Sequence, residues 1–248
     1  MNVMTTRPQR TPNAGRSQEN SKRLIVLNSA SAAVYRLIDV FLLVWLHQYL
    51  LRRITPEEYS LYPIVMSVVL FIPILSSILS SGVGRYIVEA YARRDDLRIT
   101  QIVSSMFPPL LGLGCLVMAV GLFLAWRVDS LLKVEPGLVW DARVMMVLLM
   151  FSTAIRPAMV VFTVGLYVRQ RFVAQNGIRL IKEVVRLTVL VTLLLGVSTR
   201  VLWVAVSTVV AEVFDVAVQM VISRRMLPAL RFRRTEFRWG MVGTLISF

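Results

Sequence analysis

Nine ionisable side chains lie well inside long apolar stretches of this 248-residue chain: Arg36, Asp39, Arg156, Arg179, Lys182, Glu183, Arg186, Glu212 and Asp215. A charge at the centre of a bilayer costs roughly 2.5–3.5 kcal/mol on insertion scales. Side chains of this kind are expected to face a polar interior between helices, not lipid, and a polar interior between membrane helices implies passage of a polar cargo.

Their spacing sorts them into groups. Arg36 and Asp39 are three apart and share a helical face, either as a structural ion pair or as cavity-lining groups that open to an anionic head group or a coupling ion. Arg179, Lys182, Glu183 and Arg186 recur at helical spacing, so Arg179, Lys182 or Glu183, and Arg186 share a net-basic face over about two turns. That face suits side chains that snorkel to phospholipid head groups. It equally suits a funnel for a phosphorylated substrate, because guanidinium groups bind phosphate bidentately. Arg156 followed by Pro157 sets a cation beside carbonyls that lose their partner at a proline, which fits a cavity wall. Glu212 and Asp215, again three apart, supply the acidic counterpart, as counter-ions or as a proton or sodium site. The substrate-binding candidates are thus Arg36, Arg156, Arg179, Lys182 and Arg186. The ion-coupling or counter-ion candidates are Asp39, Glu183, Glu212 and Asp215. Five basic groups against four acidic ones favour an anionic cargo.

The elements that must position these groups are membrane helices. The chain is 56% hydrophobic with a mean hydropathy of +0.68, above the roughly 45–50% apolar content of soluble domains. A hydrocarbon core of about 30 Å takes around 20 apolar residues per helix. Six stretches meet that length: 24–50, 61–81, 99–126, 144–167, 177–197 and 201–223. The expected fold is all-α: a polytopic membrane protein with a six-helix transmembrane bundle over 24–223. A polar, disordered cytoplasmic tail precedes it at 1–23, and a basic cytoplasmic linker follows at 224–239. Residues 240–248 read as the start of a truncated seventh helix. Pro63, Pro73, Pro108 and Pro109 are expected to break or bend the second and third spans.

A net charge of +14 could suggest nucleic acid, yet the basic residues sit in the loops. Arg7, Arg10, Arg16, Lys22 and Arg23 lie on the same side as Arg85, Arg93, Arg94, Arg98, Arg169, Arg171 and the run from Arg224 to Arg238. The opposite loops hold Arg52, Arg53, Arg127, Lys133, Arg143 and Arg200. The positive-inside rule makes both termini cytoplasmic, and no nucleic-acid partner is expected.

Soluble-enzyme chemistry finds little support. His47 is the one histidine, so no two-histidine metal site or histidine dyad can form. Cys115 stands alone, which excludes an intramolecular disulfide or cysteine-cluster metal site, and it reads as a small packing residue. Gly82-Val83-Gly84 lacks the third glycine of a dinucleotide site, and there is no Walker-type lysine motif. No cofactor, no metal and no catalytic residue is assigned.

The stretch Ile54-Thr55-Pro56-Glu57-Glu58-Tyr59-Ser60-Leu61-Tyr62, with Gly82-Val83-Gly84-Arg85-Tyr86-Ile87-Val88-Glu89 after it, resembles the second-helix region of bacterial polysaccharide exporters. Leu166-Tyr167-Val168-Arg169-Gln170-Arg171-Phe172 and Leu227-Pro228 with its arginine-rich continuation are similar to later parts of the same pattern. The family is the multidrug/oligosaccharidyl-lipid/polysaccharide exporter superfamily, in its O-antigen and polysaccharide flippase branch. Ser60 stands where the family usually has glycine, and Arg85 follows Gly84 directly.

The resemblance implies two six-helix bundles around a cavity of alternating access, of which this chain would be the N-terminal half of a 12- to 14-helix exporter. It implies a lipid-linked oligosaccharide cargo on undecaprenyl diphosphate, flipped across the bacterial inner membrane for cell-surface polysaccharide (lipopolysaccharide) biosynthesis. A second half or self-pairing is then a further expected partner, beside membrane lipid. An ion-coupled multidrug antiporter is the alternative on the same fold. A membrane polymerase or glycosyltransferase of the same pathway is the alternative of another class, against which the 127–143 loop offers only Asp129, Glu135 and Asp141 and no histidine base.

Overall fold

The computed structural model describes residues 12–70, 72–131 and 136–246. Among them there is no strand. The helices are α1 (Pro12–Leu51), α2 (Pro56–Val69), α3 (Ile72–Ala92), α4 (Asp96–Trp126), α5 (Val128–Leu131), α6 (Val139–Thr163), α7 (Gly165–Val168), α8 (Phe172–Gly196), α9 (Leu202–Met226) and α10 (Trp239–Ile246). Among the described residues four segments are long and apolar enough to cross a membrane: Ile25–Leu51, Asp96–Trp126, Val139–Thr163 and Leu202–Met226.

Two of the six expected spans fall short of that description, each for a physical reason. The stretch 61–81 is not one helix, because α2 stops at Val69 and α3 starts at Ile72. Pro73 has no N–H to give the carbonyl of residue 69, so the helical ladder fails at that point. Pro63, Pro108 and Pro109 sit inside continuous helices instead of breaking them. The fifth expected span is a 25-residue helix, α8, but its charged residues Arg179, Lys182, Glu183 and Arg186 occupy the middle turns and interrupt the apolar run.

The tail differs too. Residues 12–23, expected to be disordered, continue α1 as helix, while residues 1–11 lie outside the described residues. So do Lys133, Glu135 and Phe248.

The α2 start shows how the Thr55-Pro56-Glu57-Glu58 turn works. Thr55 is the N-cap, its Oγ1 accepting from the Glu58 N–H at 3.4 Å, and Pro56 opens the helix, where a missing N–H does no harm. The Glu58 carboxylate reaches across the chain to accept from the Val201 N–H at 2.8 Å, so one acid secures the approach to α9.

Helices α4, α6, α8 and α9 form the packed body, with the broadest contact between α4 and α6. Small residues permit it. A Cβ on Gly114 would stand 2.7 Å from the Ala154 carbonyl oxygen, and one on Gly121 would stand 2.5 Å from the Met150 side chain, so the helices mesh at the distance that small-residue faces allow. Met145, Met146, Leu149 and Met150 of α6 are buried beside Leu190 of α8 and Val204 of α9. A second core gathers Val83, Ile87, Ile99, Val103, Val161, Leu227 and Leu230. Cys115, expected as a packing residue, is exposed on α4.

Helix α1 is different. It rests mainly on α8 and touches α2, leaving Leu37, Phe41, Val40 and Ile25 exposed. A continuous surface of that kind suits hydrocarbon better than water.

The basic segment after α9 is tied down. The N–H groups of Arg233 and Arg238 donate to Ser104 and Ser105 of α4 at 2.9 and 3.0 Å. Thr100 donates to the Ala229 carbonyl at 3.0 Å, and Gln101 to Glu236 at 3.1 Å. All four α4 partners are buried. Their i, i+1, i+4, i+5 spacing makes one polar face that receives the linker and brings α10 against α3 and α4.

Candidate functional site

A cleft of about 510 Å³ opens between α6, α8 and α9. From α6 come Ser152, Thr153, Arg156, Pro157, Met159, Val160 and Thr163; from α8, Gln175 and Arg179; from α9, Glu212, Asp215, Val216 and Gln219. On α6 these positions recur every three or four residues, so one face of the helix makes the wall. The hydroxyls of Ser152, Thr153 and Thr163 donate back to carbonyls of their own helix.

The charged groups form a chain of contacts. Arg156 grips both oxygens of Glu212: Nε pairs with Oε1, and Nη2 donates to Oε2 at 3.0 Å. The same Nη2 stands 3.7 Å from Asp215 Oδ2. Lys182 Nζ reaches Glu212 Oε2 at 2.9 Å, so Glu212 serves two cations. Gln219 donates to Asp215 Oδ1 at 2.8 Å. The two carboxylates are almost fully buried, the Lys182 side chain is 16% exposed, and the Arg156 side chain is 54% exposed.

Arg179 lines the same cleft with no carboxylate partner among the described residues, its guanidinium lying 6.0 Å from the ring centre of Tyr35 on α1. Glu212 and Asp215 are both engaged by cations, and Asp39 and Glu183 act on the same Tyr35 that Arg179 approaches, so the distinguishing feature of the cleft is an arginine, Arg179, that forms no ion pair among the described residues.

The nine residues singled out in the sequence therefore divide. Arg156, Arg179, Glu212 and Asp215 line the cleft, and Lys182 joins them through Glu212. Arg186 turns elsewhere: its Nη2 pairs with Glu183 Oε2 at 2.7 Å, and both are within electrostatic reach of Tyr62 on α2. The four charges of α8 thus belong to two clusters and not to one face, because adjacent positions 182 and 183 project about 100° apart on a helix. Arg36 and Asp39 form no ion pair among the described residues. Arg36 is exposed on α1, and Asp39 acts electrostatically on Tyr35.

Several cleft residues escaped the sequence reading. Tyr35, next to Arg36, is the residue of α1 that meets a site cation. Gln219, four residues after Asp215, was legible as its helical neighbour. Ser152, Thr153 and Gln175 carried no signal beyond helical spacing to Arg156 and Arg179. Ser31 and Asn176, bonded at 2.9 Å, tie α1 to α8 just beside them.

Of the acids expected in the 127–143 loop, the two that lie among the described residues are occupied: Asp129 pairs with Arg143 at 3.4 Å, and Asp141 with Arg200 at 3.7 Å. Among the described residues no group of three His, Cys, Asp or Glu side chains could hold a metal ion. Comparison of the chain with protein-family models, with curated proteins and with solved structures finds no match.

Proposed function

We propose that this protein is a membrane transporter module that moves an anionic, lipid-linked cargo, most specifically an oligosaccharide on a prenyl diphosphate of the undecaprenyl type, across the bacterial inner membrane for cell-surface polysaccharide synthesis. The carrying observation is the cleft's charge: Arg179 has no carboxylate partner among the described residues, and the half-exposed Arg156 is oriented by Glu212. Guanidinium groups so placed suit phosphate oxygens. On this reading six units cross the membrane, with the interrupted α2–α3 pair and the charged α8 added to the four long apolar helices, and the N-terminus is cytoplasmic. The 31 residues of α4 extend about 46 Å at 1.5 Å per residue, beyond about 30 Å of hydrocarbon. Its polar first turns and the linker bound to them then sit outside the apolar layer.

The protein acts without catalysing a covalent step, alone or with a second half or a second copy. The antiporter alternative would want a free carboxylate for a cationic drug; Glu212 and Asp215 are both engaged by cations, and Glu183 by Arg186, which leaves Asp39 on α1 as its one candidate among the four acids singled out.

The test is binding of farnesyl diphosphate by the purified full chain in phosphatidylcholine nanodiscs, beside uncharged farnesol. Preference for the diphosphate, weakened about tenfold by Arg179→Gln, is the expected result, a shift typical of one charge-assisted contact. Equal binding of farnesol, or preference for cationic dyes, overturns the anionic reading.

A further inference from the structure

If the cleft receives an anion, the orientation of Arg156 decides how well it does so. A guanidinium carries five N–H donors in one rigid plane. In Arg156 the Nε and Nη2 edge is occupied by both oxygens of Glu212, with Asp215 3.7 Å beyond Nη2. The Nη1 donors have no partner among the described residues, and the side chain is 54% exposed. The free edge is therefore the one the ion pair leaves over.

The carboxylates are themselves fixed. Glu212 is buried and also bound by Lys182 at 2.9 Å, so it cannot rotate without losing a second cation. Asp215 is buried and held by Gln219 at 2.8 Å. Two acids, each anchored from behind, grip one long and otherwise flexible arginine. Fixing a binding group in its bound orientation improves affinity by lowering the ordering cost.

Resting on the anionic-cargo reading, we propose that Glu212 is a positioning residue: it fixes the Arg156 guanidinium so that the Nη1 edge meets a phosphate oxygen of the cargo, with Lys182 holding Glu212 in place. A bare counter-charge and a positioning group give opposite signs on mutation. Removing a negative charge beside Arg156 and Lys182 raises the local positive potential, which by itself tightens anion binding. Removing a positioning group weakens it.

The experiment measures farnesyl diphosphate affinity of the full chain in phosphatidylcholine nanodiscs. Glu212→Gln is expected to bind about tenfold more weakly, and Glu212→Asp, which keeps the charge but withdraws the carboxylate by one methylene, to be weakened as well. In the Glu212→Gln background Arg156→Gln adds nothing, whereas Arg179→Gln weakens both backgrounds by the same factor, a pattern that general loss of structure would not give. If Glu212→Gln lacks the wild-type melting transition, Glu212→Asp carries the test. Wild-type or tighter binding by the folded variant, or an undiminished Arg156→Gln effect in the Glu212→Gln background, overturns the positioning role while the anionic-cargo reading stands. Failure of the wild-type chain to prefer farnesyl diphosphate over farnesol removes both.

Discussion

Helix α6 presents two unlike faces. Toward α4 it offers Met150 and Ala154, which lie so close to Gly121 and Gly114 that an added methyl group would overlap them, with Ala158 in ordinary contact beside Gly114. Toward α8 and α9 it offers Ser152, Thr153, Arg156 and Thr163, which line a cleft, and Arg156 meets buried acids there. The first face gains its contact from shape, with no charge to satisfy. The second accepts half-exposed charge and open space, which contribute little to packing and are expected where a polar ligand binds. One helix thus joins a rigid contact to a chemically active one, and substitutions on its two sides should fail in different ways.

The largest effect is expected on the tight side. Gly114→Leu would drive a side chain against the Ala154 backbone oxygen, and overpacking of this kind destabilises by about 3 kcal/mol; a lowered melting temperature in detergent checks it. Gly112, two residues earlier, has nothing within 4 Å of its Cβ direction. Gly112→Ala should stay within about 0.5 kcal/mol of the parent or gain slightly in helix propensity. Equal losses at both positions would erase the contrast between a meshed face and an open one.

On the cleft side, Arg156→Gln leaves Asp215 with no cation and Glu212 with Lys182 alone. Breaking a fully buried pair costs about 3–5 kcal/mol, and the half-exposed Arg156 reduces this to about 1–2 kcal/mol. Its larger consequence should be in ligand affinity, so the ratio of binding loss to stability loss separates this face from the α4 contact.

Smaller again is the linker clasp. Ser105→Ala removes the acceptor for the Arg238 N–H at a cost of about 1 kcal/mol, read as faster amide exchange across 231–238 with the cleft unaffected. Smallest is Tyr35→Ala, which removes the ring beneath Arg179 and about 0.5 kcal/mol of cation–π attraction.

Much of the polar interior was legible because charges in apolar stretches are rare and their spacing is read directly: Arg156, Arg179, Glu212 and Asp215 do share a cleft. That Lys182 and Glu183 point apart was legible from helical spacing; which partners each meets was not, since that depends on where neighbouring helices lie around α8. Nor was the fate of Arg36 and Asp39, whose spacing permits a pair that the side-chain rotamers do not form. The break near residue 70 was announced by Pro73 but masked by the unbroken hydrophobicity of the stretch. In α4, Thr100, Gln101, Ser104 and Ser105 had the spacing of a buried polar face, yet nothing local indicated that the linker supplies its partners from more than 120 residues away.

The central claim is that the unpaired Arg179 of the cleft, and not the basic character of the whole chain, selects the cargo. Farnesyl diphosphate affinity of Arg179→Gln beside Arg200→Gln tests it most directly, because both substitutions remove one positive charge but Arg200 pairs with Asp141 outside the cleft. A loss of about tenfold for Arg179→Gln with Arg200→Gln unchanged is the predicted result. Equal losses in the two variants would contradict it.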